Sequence, residues 1–181
     1  MNARFLMGEQ VRLTVLNSDN DIQVMQRWLA DAATWRLLDA TAGATRPSTP
    51  HAFDNIYFLV YLLSGKRPIG HAALFDVRRA AGEAWLSIGL GRPEYWDEGY
   101  GVDAIHVALH HAFGDMDLQR VRLGVFDYDA RALRSYEAAG FAIEGRMLQE
   151  ARRDGRMKAG VYMGLTREDW QSRAEWAMSP Q

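Results

Sequence analysis

Cysteine is absent from the chain, which excludes disulfides, thiol nucleophiles and every thiolate metal site, and fits a reducing compartment such as the cytoplasm. Long apolar runs are absent as well. The longest, Ile56–Leu63, is less than half of the ~18 residues that a membrane helix needs. Met1–Gln10 is interrupted by Asn2, Arg4 and Glu9, so no signal-peptide core is expected there. Nor is there an excess of charge of one sign, since 21 Lys and Arg face 23 Asp and Glu for a formal net charge of −2. No global field gathers nucleic acid, and neither nucleic acid nor a membrane is expected as a partner. Any anion must be held locally, by backbone amides or a few arginines.

What is present is ordinary globular composition, with 48% hydrophobic and 24% charged residues. At ~100–200 residues per domain, 181 residues predict one domain over 1–181, without internal repeats or low-complexity segments. Gln10–Leu16 alternates as a strand, with Val11, Leu13 and Val15 on one face. Asp19 or Asp21 can then cap a helix whose apolar positions are Ile22, Met25, Trp28 and Leu29. Asp31–Ala40 is expected to form a second short helix, and Thr41–Pro50 reads as a loop. From Asn55 the period changes, and Ile56–Leu63, Pro68–Val77 and Ala84–Leu90 read as three consecutive antiparallel strands joined by short turns. A helix over Val102–Phe113, a strand over Val121–Phe126 and a helix over Asp129–Ala139 closed by Gly140 follow. Phe141–Glu150 and Lys158–Leu165 flank Asp154–Gly155, a strong hairpin signal. The order predicts an α/β fold with a mixed sheet.

The segment that carries chemistry is Tyr95–Val102, between a strand and a helix. Gly99 and Gly101 let backbone amides turn toward one point, and the first helical turn adds unpaired donors. A chain at −2 can thus seat a pyrophosphate without basic side chains. It is not a Walker loop, because Gly101 is followed by Val102 and Asp103 rather than Lys and Ser or Thr. Gly99, Gly101 and Ala104 do satisfy a Rossmann spacing, but that fingerprint turns directly out of its strand, whereas Gly91–Glu98 separates Leu90 from Gly99 here. The chain after Asp127 also offers only one helix and a hairpin.

Glu94–Gly101 followed by Val125–Phe141 resembles the GCN5-related N-acetyltransferase (GNAT) superfamily. Glu144–Arg146, Arg153–Arg156 and Met163–Trp170 are similar to the branch of ribosomal-protein N-terminal and spermidine acetyltransferases. The likeness runs from about Asn55 to Trp170, leaving 10–54 as acceptor-side helices and loop and 171–181 as a tail. It implies a GNAT-like fold, with a mostly antiparallel central sheet, flanking helices and a phosphate loop. It also implies acetyl-CoA as co-substrate, no metal, and a small-molecule or peptide amine as acceptor, with a homodimer as one expected assembly. By position, Trp96, Asp97, Glu98, Gly99, Tyr100, Gly101 and Val102 would cradle the CoA pyrophosphate. Ile88, Gly89 and Leu90 would run beside the pantetheine arm and polarise the thioester carbonyl. Asp129 stands where the family has an Asn that contacts that arm. Tyr136 stands where the family has the tyrosine beside the thioester sulfur and would protonate the leaving thiolate, and Arg131 and Arg134 would reach CoA phosphates or simply face solvent.

There are departures from the family pattern. Trp96 replaces the usual Gln or Arg, Asp129 is an acceptor-only carboxylate, and Trp85 occupies the position where relatives carry a Glu near the start of the strand before the loop. No carboxylate base carries over, so the proton of an incoming ammonium would leave through water or a His71 relay. Without cysteine there can be no cysteinyl acyl-enzyme. Trp85 and Asp129 also keep open a CoA-binding regulatory module without turnover. His106 and His110 have zinc-compatible spacing but no third ligand and no Glu at Val107, so a solvated helix face is expected. Trp28, Trp35 and Trp85 suggest a partly apolar acceptor side, whereas Asp31, Asp39 and Asp54 are the only scattered carboxylates there for a polyamine. Arg146, Arg152, Arg153, Arg156 and Lys158 form a basic hairpin expected to be solvated.

Overall fold

Alternating apolar residues on successive strands need a second layer, and here that layer is helical. The structure is a computed structural model and describes residues 5–16, 23, 55–153 and 156–178. Its strands are β1 (Phe5–Met7), β2 (Val11–Val15), β3 (Ile56–Leu62), β4 (Pro68–Arg78), β5 (Glu83–Leu90), β6 (Arg120–Phe126), β7 (Ala142–Arg153) and β8 (Arg156–Thr166). Its helices are α1 (Tyr100–His110), α2 (Ala130–Ala138) and α3 (Arg167–Met178). The eight strands form one sheet in the order β1-β2-β3-β4-β5-β6-β8-β7. Every neighbouring pair is antiparallel except β5 and β6, which are parallel. The expected mixed sheet with flanking helices is therefore what forms.

One face of the sheet carries Val11 and Leu13, Phe58 and Val60, Ala72 and Leu74, Leu86, Leu123 and Met163 into a single core. Against it lie Ile105, Leu109 and Phe113, three of the four positions Val102, Ile105, Leu109 and Phe113 that repeat at helical spacing, all essentially inaccessible, whereas Val102 is only half-buried. The helix expected to run straight to Phe113 instead changes at His111, where a π-helical turn spans His111–Asp115 and the Met116 N–H donates to His111 O at 3.0 Å. Trp170 of α3 packs against Phe113 with ring centroids 5.4 Å apart.

Two elements differ from the expectation. β1 was not expected, and the segment taken as a tail after Trp170 continues α3 to Met178. Thr166 caps the start of this helix, its Oγ1 accepting from the Asp169 N–H at 3.1 Å and donating to the Asp169 carboxylate at 2.5 Å. The helices expected from Asp19 to Ala40, the Thr41–Pro50 loop, Trp28, Trp35, Asp31, Asp39, Asp54 and the Asp154–Gly155 turn lie outside the described residues.

Candidate functional site

The parallel pair is also the incomplete one. β5 and β6 are in register only over Glu83–Trp85 and Arg120–Arg122, at their first residues. Beyond Trp85, β5 stays paired to β4 as far as Leu90, and beyond Arg122, β6 stays paired to β8 as far as Phe126. The two strands therefore diverge, leaving backbone donors and acceptors of Leu86–Leu90 and Leu123–Phe126 facing a wedge rather than each other.

A cleft of about 380 Å³ occupies this region. One wall is the end of β5, with Ile88, Gly89 and Leu90; the next is the loop to α1, with Tyr95, Trp96, Asp97, Gly99, Gly101 and Val102. α2 and the residue before it close the third side with Asp129, Arg131, Ala132, Arg134, Ser135 and Tyr136. Of the residues expected to hold the cofactor, Glu98 and Tyr100 do not line the cleft; Glu98 is exposed on the loop. Tyr95, Ile105, Ala132, Ser135 and Ala138 line it without having been expected. Ala132, Ser135 and Tyr136 were legible as one face, since i, i+3 and i+4 on a helix point together.

The loop reaches its shape through two left-handed residues. Gly99 has φ of 81°, and Asp97, which has a side chain, has φ of 60°. Asp tolerates this region better than most residues. Gly99 is the N-cap of α1 and gives no side-chain cap, so the first-turn amides keep their donors for a ligand. Gly101 is different: a Cβ there would find its nearest neighbour, Leu90 Cδ1, at 3.8 Å, an ordinary contact. The first turn is anchored by Asp103, whose carboxylate accepts from the backbone N–H groups of Glu9, Gln10 and Val11 at 3.1, 2.8 and 2.9 Å.

Asp129 proves to be the N-cap of α2, its Oδ1 accepting from the Ala132 N–H at 3.0 Å. An acceptor-only side chain suits that position. Tyr136 is buried, with its ring 6.0 Å from that of Phe141. Burial, and then the Asp129 carboxylate, push its phenol well above the ordinary range. It therefore stays protonated at physiological pH and keeps an O–H to donate. Arg131 is half-buried beside the cleft and Arg134 more exposed at its edge, so both face the site.

His71 is not among the residues of this cleft. It sits in β4 opposite Leu59 and Gly89, and burial lowers its imidazole to about 4. Trp85, the residue in place of a carboxylate, stacks on Phe75 at 6.4 Å and meets Tyr162 edge-on at 6.0 Å. The carboxylates near it are already engaged, Glu83 by Arg122 at 3.2 Å and Glu144 by Arg120. His106 and His110 lie on the exposed face of α1, and His110 meets Trp170 edge-on.

The model of an acetyltransferase (GNAT) domain matches residues 9–142 of the chain. The chain is 25% identical over 103 residues to the SPbeta prophage-derived uncharacterized N-acetyltransferase YokL of Bacillus subtilis (strain 168). That match covers 57% of this chain and 58% of the relative, so the chain spans under two thirds of the relative's length. Among solved structures, a single-residue variant of the spermidine N-acetyltransferase of Vibrio cholerae is similar, with a TM-score of 0.62 and 25% identity over 68% of this chain and 72% of that one. The spermidine N-acetyltransferase of the same organism in complex with CoA and spermine gives a TM-score of 0.75 at 20% identity, covering 90% of this chain and 98% of the other.

Proposed function

The chain belongs to the GNAT acetyltransferase family, and on that premise we propose that it is an acyltransferase moving the acetyl group of acetyl-CoA directly to a primary amine. One observation carries the reading: a single cleft joins the open N-terminus of α1 to Tyr136 through the wedge between β5 and β6. A long ligand that is anionic at one end and amide-bearing in the middle fits that path. The left-handed loop and first-turn amides of α1 suit its phosphates, and the unpaired edge of β5 suits its peptide-like arm. Bound there, acetyl-CoA supplies an activated acetyl group.

The chain's own residues then have two tasks. Transfer forms a C–N bond and breaks a C–S bond, so a proton must leave the amine and another must reach the sulfur. We assign the second to Tyr136, which burial and Asp129 keep protonated. The proton that leaves the amine through water balances the one passed to sulfur, so the phenol is restored and the products are an amide and a neutral thiol. The first proton meets a poor base in His71, because an ammonium near ~10.4 does not yield to an imidazole lowered to about 4. Water is the better carrier, with His71 at most a neutral relay. Backbone N–H groups of Ile88–Leu90 that face the wedge would stabilise the developing oxyanion.

The amine acceptor is proposed as a class: a polyamine, a protein N-terminus or a small amino metabolite. The relative crystallised with CoA and spermine supports an amine. The experiment is a thiol-release assay with acetyl-CoA and a panel of these three amine types. Amine-dependent release of CoA above the hydrolysis background is expected. Tight CoA binding with no release on any amine would overturn transfer in favour of a regulatory module.

A further inference from the structure

Trp96, from the loop side of the cleft, and Arg131, from its α2 side, meet in its lining. Trp96 follows the short 3₁₀ turn Pro93–Tyr95, and its backbone N–H donates to Pro93 O at 3.0 Å. At its far end the indole N–H donates to Leu90 O at 3.3 Å. Fixed at both ends, the ring has one orientation. Its face is covered by the Arg131 guanidinium, whose central carbon lies 3.5 Å from the ring centroid. A guanidinium lying flat on an indole uses its face for that contact and keeps its N–H edge available to an anion in the same plane. Arg134 on the same helix has no such support and is exposed. The loop itself brings Asp97 and Glu98 close to the anion-binding amides, so a cation held at the wall offsets local repulsion.

We infer that Trp96 is a positioning residue. It holds Arg131 as the phosphate-reading cation of the donor site, and so makes that site favour a phosphate-bearing acyl thioester over the same thioester without phosphates. The inference rests on the donor site assigned above, but not on the identity of the acceptor. A rotating arginine in solvent would give little selectivity, since it pays side-chain entropy and is screened by salt.

The test compares CoA with pantetheine, which has the same thiol arm and no phosphates. Affinities are measured by calorimetry, directly for CoA and by displacement for pantetheine, in wild type, Trp96→Gln, Trp96→Phe, Arg131→Gln and the double variant Trp96→Gln/Arg131→Gln. Expected is a loss of about tenfold in CoA affinity for Trp96→Gln and for Arg131→Gln, with pantetheine affinity nearly unchanged. Trp96→Phe, which keeps an aromatic face, should recover most of the loss, and the double variant should be no worse than the weaker single. Added salt should weaken CoA binding to wild type more than to Trp96→Gln. Equal losses for both ligands in Trp96→Gln would reveal a merely structural role and overturn the inference. So would unchanged CoA affinity in either single variant, or additive losses in the double. Because these are binding measurements, a wild type that binds CoA but transfers to no amine would sink the transfer reading and leave this comparison intact.

Discussion

Replacing His71 by glutamine should remove an acid-sensitive component of stability. The imidazole is lowered from an ordinary 6.5 to about 4 by burial in β4. Between those values the unfolded chain binds a proton that the folded chain refuses. Stability is therefore fully present above 6.5 and falls as the pH drops toward 4. A difference of two to three pH units at ~1.4 kcal/mol each gives a loss of about 3 kcal/mol from this one group. The assay is urea unfolding followed by tryptophan fluorescence at several pH values from about 7.5 down to about 4.5, where other carboxylates still differ little between variant and wild type. The wild-type curve should fall more steeply than that of His71→Gln, and the gap should close as the pH falls, to the extent that the two stabilities cross or converge. Parallel curves would refute the burial argument. The same shift predicts that the acid limb of kcat/KM follows the amine of the acceptor and shows no break near 6.5.

Tyr136→Phe keeps the ring against Phe141 and removes one buried hydroxyl, so melting should change little while kcat falls on the order of 10–10³-fold; wild-type kcat under chemistry-limited conditions would remove Tyr136 from the mechanism. Gly99→Ala forces a side chain into φ of 81° and within 3.1 Å of Gln10 Nε2, at a cost of about 1–2 kcal/mol, and should weaken CoA binding. Gly101→Ala, by contrast, should fold normally and lose only CoA affinity, because its methyl meets nothing closer than 3.8 Å; a normal CoA Kd in both variants would place the anion seat elsewhere. Asp103→Ala leaves three backbone N–H groups without their carboxylate and should lower unfolding free energy by about 2 kcal/mol in denaturant titration, with Asp103→Asn between the two.

Much of this architecture was legible because its cues are local. Strand alternation placed β2 to β6 to within a residue or two, and Ile105, Leu109 and Phe113 identified the buried face of α1 and of the π-helical turn that continues it. What escaped had no period to read or depended on distant partners. β1 has three residues, with Phe5 and Met7 about half or more exposed, too short to show alternation. α3 has no apolar stripe strong enough to announce it, although Thr166 at its start is a residue that caps helices. The π-helical turn at His111, in which Ala112 and Phe113 are buried, has no signature in composition. In the site, the glycines signalled the loop, but the left-handed Asp97 and the stacking of Arg131 on Trp96 are tertiary facts. The role of Asp129 was ambiguous by analogy and becomes clear only from its bond to the Ala132 N–H.

The wedge between β5 and β6 gives the sheet a second kind of border. Outer borders invite other chains to add a strand, and here β1 and β7 expose Met7, Ile143 and Met147 along theirs. The inner border also carries backbone groups without a strand partner, though Leu90 O accepts the Trp96 indole N–H and Phe126 O the Asp129 N–H, and it narrows to closure at Trp85 and Arg122. A polypeptide strand, flanked by side chains on both faces, cannot run to the bottom of such a notch. A slim chain bearing only occasional amides can. The same shape that admits one thin ligand thus bars a further strand from the middle of the sheet.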